Sequence, residues 1–268
     1  MPNVPPLVLV KSGDHGVPGF FLVHGMGGTA LDTFPIGTRI RWPGNIYSVQ
    51  GRGLDPSTSP DDRIEDMAQA AADAIIQHQP AGPYYLAGIS WGGMVMLEAA
   101  LRLIENGQRV ALLAFLDTYP HPRLWPIRCW LGVAFRRTWR HLAALMRLRF
   151  GEMVSQLALL PVKAANSLRY RTGAPVRLES FRPLPPALGQ ARAAYALAVA
   201  RYRPRPFPAP IIFIEAGRHG PFPTDPAFVW GRLGQRLELH RIPCEHGEMF
   251  TTHAGETADC LSRCLERA

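Results

Sequence analysis

The chain has 268 residues, of which 47% are hydrophobic and 19% are charged, and its formal net charge is +8. This composition excludes global disorder and favours a sizeable core. No run of 18 apolar residues is present, which excludes a transmembrane helix. Residues 1–10 lack the basic leading segment and the small-residue cleavage site of a signal peptide, so we expect a cytoplasmic protein with reduced cysteines.

Short apolar runs alternate with longer helical patterns in the first half of the chain. Strands are predicted over residues 20–23, 46–49, 84–87 and 110–116, and helices over 63–79 and 94–105. Alternation of this kind, with uniformly apolar strands, predicts a parallel sheet that is covered by helices on both faces.

The second half of the chain interrupts this alternation and then resumes it. From Leu124 to about Arg203 the sequence is helical or irregular, with its clearest helix over 187–201. Strands return at 211–214 and 237–242, and a final helix is predicted over 255–265. Because the last two strands complete the sheet, we expect one domain over residues 1–268 with a helical insertion at about 121–205. The stretch from His121 to Arg205 has sixteen basic residues against two acidic ones, a surplus of fourteen positive charges.

The strongest local signal is the segment Gly88-Ile89-Ser90-Trp91-Gly92-Gly93, directly between a predicted strand and a predicted helix. This is the context of a nucleophile elbow, in which a tight turn presents a serine hydroxyl above the edge of a sheet. The helix that follows also favours negative charge at its N-terminus. The segment therefore predicts Ser90 as a catalytic nucleophile; the alternative is a glycine-rich turn with an inert serine.

A serine nucleophile needs a base, which in this fold follows the serine and the acid in chain order. His246 is the predicted base because it lies in a loop after the last strand and before the terminal helix. His240, inside the strand pattern, and His253, near the start of the last helix, are weaker alternatives.

Two aspartates are candidates for the acid. Asp117 directly ends the predicted strand 110–116, and a carboxylate at the C-terminal edge of a parallel strand lies where such sheets place their sites. Asp225, in the loop after the later strand, is the alternative. Either would fix the imidazole tautomer and stabilise the imidazolium.

The loop after the first strong strand reads Val23-His24-Gly25-Met26-Gly27-Gly28. Its glycines allow the backbone to approach a ligand. We predict that the N–H groups of Met26 and Trp91 form an oxyanion hole, which matters greatly for the rate of acyl transfer. His24 has either a structural or a direct role.

Together these residues resemble the thioesterase domains that end polyketide synthases, nonribosomal peptide synthetases and animal fatty acid synthases. The resemblance covers most of residues 19–119 and 202–265. The segments that carry it are His24–Gly28, Gln50–Leu54, Gly82–Gly93, Gly107–Leu113, Leu116–Thr118, Asp225–Pro226, Trp230 and His240–Met249. It implies an α/β-hydrolase fold with a mostly parallel central sheet, helices on both faces and a helical lid insertion.

The resemblance also bears on the site residues. It implies that the acid follows the strand after the elbow helix, which here is Asp117, and it supports Ser90 and His246. Two departures are Trp91, where the family more often has Leu or Met, and Cys244, where it usually has glycine. Neither departure removes a catalytic group.

The expected activity is a thioesterase that takes a polyketide, peptidyl or fatty acyl chain from the phosphopantetheine arm of a carrier protein onto Ser90. Hydrolysis or cyclisation then releases the chain. The basic stretch would attract an acidic acyl or peptidyl carrier protein; a solvated face or contact with anionic membranes are the alternatives. Rival functions are an esterase or lipase on free esters and a non-catalytic binding protein. No nucleic-acid motif is recognised.

No cofactor or metal is implied. The cysteines Cys129, Cys244, Cys260 and Cys264 show neither CxxC pairing nor zinc spacing with histidine. Cys260 and Cys264 lie four residues apart in a predicted helix, so we expect them to share a helix face.

Overall fold

The computed structural model describes residues 7–26, 29–54, 58–145, 165, 185–218, 222–223 and 225–268, without the side chains of Arg137, Arg140 and 141–145. The strands are β1 Leu7–Lys11, β2 Phe20–Val23, β3 Ile46–Val49, β4 Tyr84–Ile89, β5 Val110–Leu116, β6 Ile211–Ala216 and β7 Leu237–Ile242. The helices are α1 Phe34–Gly37, α2 Ile64–His78, α3 Gly92–Glu105, α4 Ile127–Leu145, α5 Pro186–Arg201, α6 Pro226–Gly231 and α7 Ala254–Leu265.

The described strands form one seven-stranded sheet in the order β1-β3-β2-β4-β5-β6-β7. All neighbouring pairs are parallel except β1 and β3, which are antiparallel. β1 was not predicted from the sequence. It is an edge strand of five residues whose central Leu9 is 48% exposed, so its pattern is too short and too weakly buried to stand out.

Two apolar layers cover the sheet, as its continuous hydrophobic strands require. Along β5, Leu113 and Phe115 pack into one core cluster with α2 and α3. Leu112 and Ala114, whose side chains point to the other face, pack into a second cluster with α7. The prediction of a mostly parallel sheet with helices on both faces is therefore confirmed. Among the helices in the described ranges, none is long and apolar enough to cross a bilayer.

The predicted elements form with boundaries that shift by only a few residues. Two of the differences frame the elbow: β4 continues two residues further, to Ile89, and α3 begins two residues earlier, at Gly92. Only Ser90 and Trp91 therefore separate the strand from the helix.

The basic stretch lies between β5 and β6, which are neighbours in the sheet. Its described helices are α4 and α5, and much of the sequence between them lies outside the described residues. The single domain with a lid at about 121–205 stays a prediction, which the position of α4 over the site supports below.

Candidate active site

The turn between β4 and α3 holds Ser90 in a strained backbone conformation. Its φ is 52°, in the left-handed region that non-glycine residues rarely adopt. The glycines around it allow the turn to close, because a Cβ at Gly88 would overlap the backbone of Gly93 and one at Gly92 would overlap the carbonyl oxygen of His24. The turn therefore fixes the position of the Ser90 side chain at the C-terminal end of β4.

A short hydrogen bond joins the predicted acid and the predicted base. His246 Nδ1 lies 2.6 Å from Asp117 Oδ2. Asp117 is 2% exposed, and its other oxygen accepts a hydrogen bond of 3.2 Å from the Ala216 backbone N–H. Because an ionised carboxylate can only accept, Nδ1 carries the proton and Nε2 of the neutral ring is left as an acceptor.

Two aromatic rings hold the imidazole from its sides. The Phe222 ring centroid lies 4.8 Å from that of His246 and the Phe250 centroid 5.2 Å from it, both edge-on. Together with the Asp117 hydrogen bond, these contacts limit rotation of the His246 ring.

The alternative acid, Asp225, and the alternative bases, His240 and His253, lie in other parts of the fold. Asp225 caps α6 by accepting a hydrogen bond of 3.1 Å from the Phe228 N–H. His240 lies in β7, where its Nε2 is 2.9 Å from Glu238 Oε1. His253 directly precedes α7. The structure thus brings Asp117 and His246 together, and the catalytic roles of these residues stay predictions.

Ser90 and His246 line one cavity of about 600 Å³. Other side chains that line it are largely apolar and come from separated segments: Met26, Trp91, Tyr119, Trp125, Trp130, Val133, Phe222 and Phe250. Trp130 and Val133 belong to α4, so this helix covers the cavity. Since these residues are scattered along the chain, no local pattern in the sequence identifies them as parts of the site.

The loop after β2 approaches the serine closely. A Cβ at Gly25 would lie 3.1 Å from Ser90 Cβ, so only glycine leaves this contact relaxed. The neighbouring Met26 and Trp91 line the cavity, in keeping with the predicted oxyanion hole. Residues 27 and 28 lie outside the described residues.

His24 has a structural role. Its Nδ1 donates to the Gly25 carbonyl at 2.8 Å, and its Nε2 accepts from the Gly51 N–H at 3.3 Å. Burial lowers the pKa of His24, which keeps the ring neutral and both hydrogen bonds intact. The imidazole thereby ties the loop after β2 to the segment after β3.

Residues 19–128 match the family model named Thioesterase domain. A dimodular nonribosomal peptide synthase from Bacillus subtilis (strain 168) is 37% identical over 115 residues, which are 43% of this chain and 5% of that protein. Aspulvinone E synthetase melA from Aspergillus terreus is 35% identical over 79 residues, 30% of this chain and 8% of that protein. The chain thus spans less than a tenth of the length of these relatives.

Two solved structures have the same fold. The thioesterase domain of NocB, in covalent complex with a fluorophosphonate nocardicin G analog, superimposes with a TM-score of 0.62 at 17% identity over 97% of this chain and 99% of that chain. The Vlm2 thioesterase domain bound with a dodecadepsipeptide gives 0.61 at 23% identity over 96% of each chain. The predicted α/β-hydrolase fold and the predicted resemblance are confirmed.

Proposed function

We propose that this chain, whose residues 19–128 match the thioesterase domain family, takes an acyl or peptidyl group from a carrier-bound thioester onto Ser90 and then releases it. The observation that carries the proposal is the 2.6 Å contact between Asp117 and His246 at a cavity that Ser90 also lines. A nucleophile, an oriented base and a largely apolar cavity for the acyl group are the parts that acyl transfer requires.

The first step is attack of Ser90 Oγ on the thioester carbonyl carbon. His246 Nε2 accepts the hydroxyl proton, and the imidazolium that forms is stabilised by Asp117. The carbonyl oxygen takes up the negative charge of the tetrahedral intermediate. The N–H groups of Trp91 and Met26 would stabilise this charge, supported by the N-terminus of α3.

Collapse of the intermediate breaks the carbon–sulfur bond. His246 gives its proton to the leaving thiolate, and the acyl group remains as an ester on Ser90. A water molecule, or a hydroxyl or amine within the acyl chain, then attacks this ester while His246 again takes the proton. The ester bond between the acyl carbon and Ser90 Oγ then breaks, and His246 returns the proton to Ser90 Oγ. Attack by water gives a free acid, and internal attack gives a ring. Hydrolysis is the default outcome.

The cavity and the relatives favour a large, partly apolar acyl group. A volume of about 600 Å³ with aromatic walls can enclose a peptidyl or polyketide chain. Relatives named as peptide synthases and synthetases support an acyl or peptidyl carrier protein, with its phosphopantetheine-bound chain, as the partner. We propose the same partner for this chain.

The decisive experiment is a fluorophosphonate reaction followed by mass spectrometry, with turnover of an acyl-N-acetylcysteamine measured in parallel. We expect the label on Ser90, and we expect Ser90→Ala to lose both label and turnover, the latter by on the order of a million-fold. Ser12→Ala, at an exposed position, is the matched control and should retain both.

The same assays separate the rival functions. Unchanged turnover in Ser90→Ala would refute the mechanism, and a native protein that neither labels nor turns over would be a non-catalytic binding protein. A marked preference for free oxygen esters over carrier-bound and small thioesters would make the chain an esterase.

A further inference from the structure

A cluster of soft ligands lies at the edge of the sheet opposite β1. His240 on β7 faces Cys260 and Cys264 on α7, and the ligand atoms of these three side chains all lie within 4.8 Å of one another. Both cysteines are buried and free, whereas the His240 side chain is 27% exposed. The cluster therefore has a buried inner side and an outer side open to solvent.

The spacing of these atoms matches one tetrahedral ion. His240 Nε2 lies 3.5 Å from Cys264 Sγ. For a tetrahedral zinc ion with Zn–S near 2.3 Å and Zn–N near 2.0–2.1 Å, the edge between the two ligands is about 3.5 Å. The cysteines lie four residues apart on one helix face, and both sulfurs lie within 4.8 Å of each other and of the His240 ligand nitrogen.

A carboxylate and a guanidinium lie beside the cluster. Glu238 Oε1 is 2.9 Å from His240 Nε2, so its carboxylate stands next to the nitrogen that would bind the ion. Arg267 donates to Glu238 Oε1 at 2.6 Å, and its Nη2 lies 3.6 Å from Cys264 Sγ. Two thiolates and one carboxylate exceed the charge of a divalent ion by one unit, which the guanidinium offsets.

We propose that His240, Cys260 and Cys264 bind a zinc ion that links β7 to α7, with a water molecule in the fourth position on the exposed side, next to Glu238. Thiolate and imidazole ligands in a tetrahedral arrangement select Zn²⁺ over the oxygen-preferring Mg²⁺ and Ca²⁺. Binding releases the two thiol protons to solvent, and the ion enters from the exposed side of His240 and Glu238.

The position of the ion gives it a structural consequence. β7 ends at Ile242 and α7 begins at Ala254, so the two elements flank the loop that bears His246. An ion that joins them anchors both ends of this loop. The proposal does not depend on the proposed function. It departs from the sequence prediction of no metal, because His240 and Cys260 are twenty positions apart and do not form a recognisable zinc-binding spacing.

Cobalt binding tests the proposal directly. The full chain, purified in reduced form with a tag that lacks histidine, is titrated with Co²⁺ and followed by absorption. We expect thiolate-to-cobalt charge transfer with a stoichiometry of one, and loss of the signal when Zn²⁺ is added. Cys260→Ser/Cys264→Ser should abolish it, Glu238→Gln should weaken binding by about 10–100-fold, and the control Cys129→Ser should leave it unchanged.

Thermal unfolding distinguishes a double variant that cannot bind the metal from one that does not fold. Zn²⁺ at about a hundred times its Kd should raise Tm by about 5 °C in the native chain and leave the double variant's Tm unchanged. A cooperative melt of the metal-free double variant shows that it is folded. Absence of the cobalt signal in the reduced native chain, or its persistence in the double variant, would overturn the proposal.

Discussion

Strain at two residues marks the candidate site. Ser90 and Asp117, at the C-terminal ends of the adjacent strands β4 and β5, both have positive φ, at 52° and 50°. Each such conformation in a non-glycine residue costs on the order of 1–3 kcal/mol and persists only where its surroundings fix it. Backbone hydrogen bonds do so here: the Ser90 N–H donates to the Leu116 carbonyl and the Asp117 N–H to the Ile214 carbonyl, each at 2.8 Å.

The role of Asp117 is tested by removing its charge and keeping its shape. Asp117→Asn should lower kcat by roughly four decades with the fold intact, because the amide would favour the wrong imidazole tautomer. Asp225→Asn is the matched control, since asparagine caps a helix as well as aspartate does. Steady-state kinetics and circular dichroism provide the measurements; a large loss in Asp225→Asn with normal Asp117→Asn turnover would assign the acid to the other loop.

His121 makes stability depend on pH. It is 2% exposed and caps the turn Pro122–Leu124, where its Nδ1 accepts from the Arg123 N–H at 3.3 Å. Burial, with a smaller contribution from Arg123, lowers the pKa of His121 from 6.5 to about 4. Between pH 6.5 and 4 His121 is protonated in the unfolded chain but stays neutral in the folded chain. The contribution of the neutral, buried His121 to the free energy of unfolding is therefore complete above pH 6.5 and is lost as the pH falls towards 4.

The expected size of this effect is up to about 3 kcal/mol, from 1.36 kcal/mol per pKa unit. His121→Asn keeps a capping acceptor and removes the titration. It should shrink the fall in unfolding free energy between pH 7 and 4.5 by about 2 kcal/mol, measured in urea. His15→Asn, at an exposed position, is the control, and an equal effect of both variants would contradict the assignment.

At the scale of elements, α3 is tied to the connector that follows α5. Glu98, buried in α3, accepts from the Tyr202 hydroxyl at 2.9 Å and from Arg205 Nη2 at 2.9 Å. Because α3 begins at the elbow, this network links the helix behind Ser90 to the end of the basic stretch. Burial, reinforced by the Glu98 charge, raises the pKa of Tyr202, so its hydroxyl remains a donor.

Tyr202→Phe isolates one bond of this network. The variant removes one hydrogen-bond donor from the buried Glu98 carboxylate, which should reduce the free energy of unfolding by about 1.5–3 kcal/mol. Tyr85→Phe, at a half-buried position on β4, should cost less than about 0.5 kcal/mol. Urea unfolding at pH 7 compares the two variants; equal losses would show that the Glu98 contact contributes nothing specific.

At the scale of the whole molecule, many described arginines of the basic stretch bind within the protein. Arg123 donates to the Arg201 and Tyr202 carbonyls, Arg136 to the Phe222 carbonyl, and Arg201 pairs with Asp62. Arg205 pairs with Glu98 and Glu105, and Arg128 lies over the Phe228 ring. Arg201 and Arg205 are paired with carboxylates, whereas Arg123, Arg128 and the exposed Arg203 keep positive charge that could attract an acidic carrier protein.

A salt series tests that attraction. If the basic stretch attracts a carrier protein, kcat/KM for the carrier-bound substrate should fall at least tenfold between low and high salt. The value for an uncharged acyl-N-acetylcysteamine should barely change. Arg137→Gln/Arg140→Gln/Arg203→Gln should raise KM for the carrier substrate alone, and Arg232→Gln, at an exposed position outside the stretch, is the control. Parallel salt curves would refute docking through this charge.

The sequence by itself determined the features that are encoded locally. Apolar runs predicted the six parallel strands, and helical periodicity predicted the main helices. Both signals are local, because the buried face of a strand or helix requires apolar residues at regular spacing along the chain. The elbow could also be predicted from the sequence, because its strand, its glycines, Ser90 and its helix are consecutive along the chain. His246 and Asp117 could be proposed from their places after predicted strands.

Only the tertiary structure decided what depends on contacts between distant segments. Asp117 and Asp225 both follow strands, and only the fold shows that Asp117 lies against His246, through a hydrogen bond that spans 129 residues. The apolar lining of the cavity and the meeting of His240 with Cys260 and Cys264 arise in the same way. Such contacts carry no periodic signal along the chain, because the fold alone brings their members within reach.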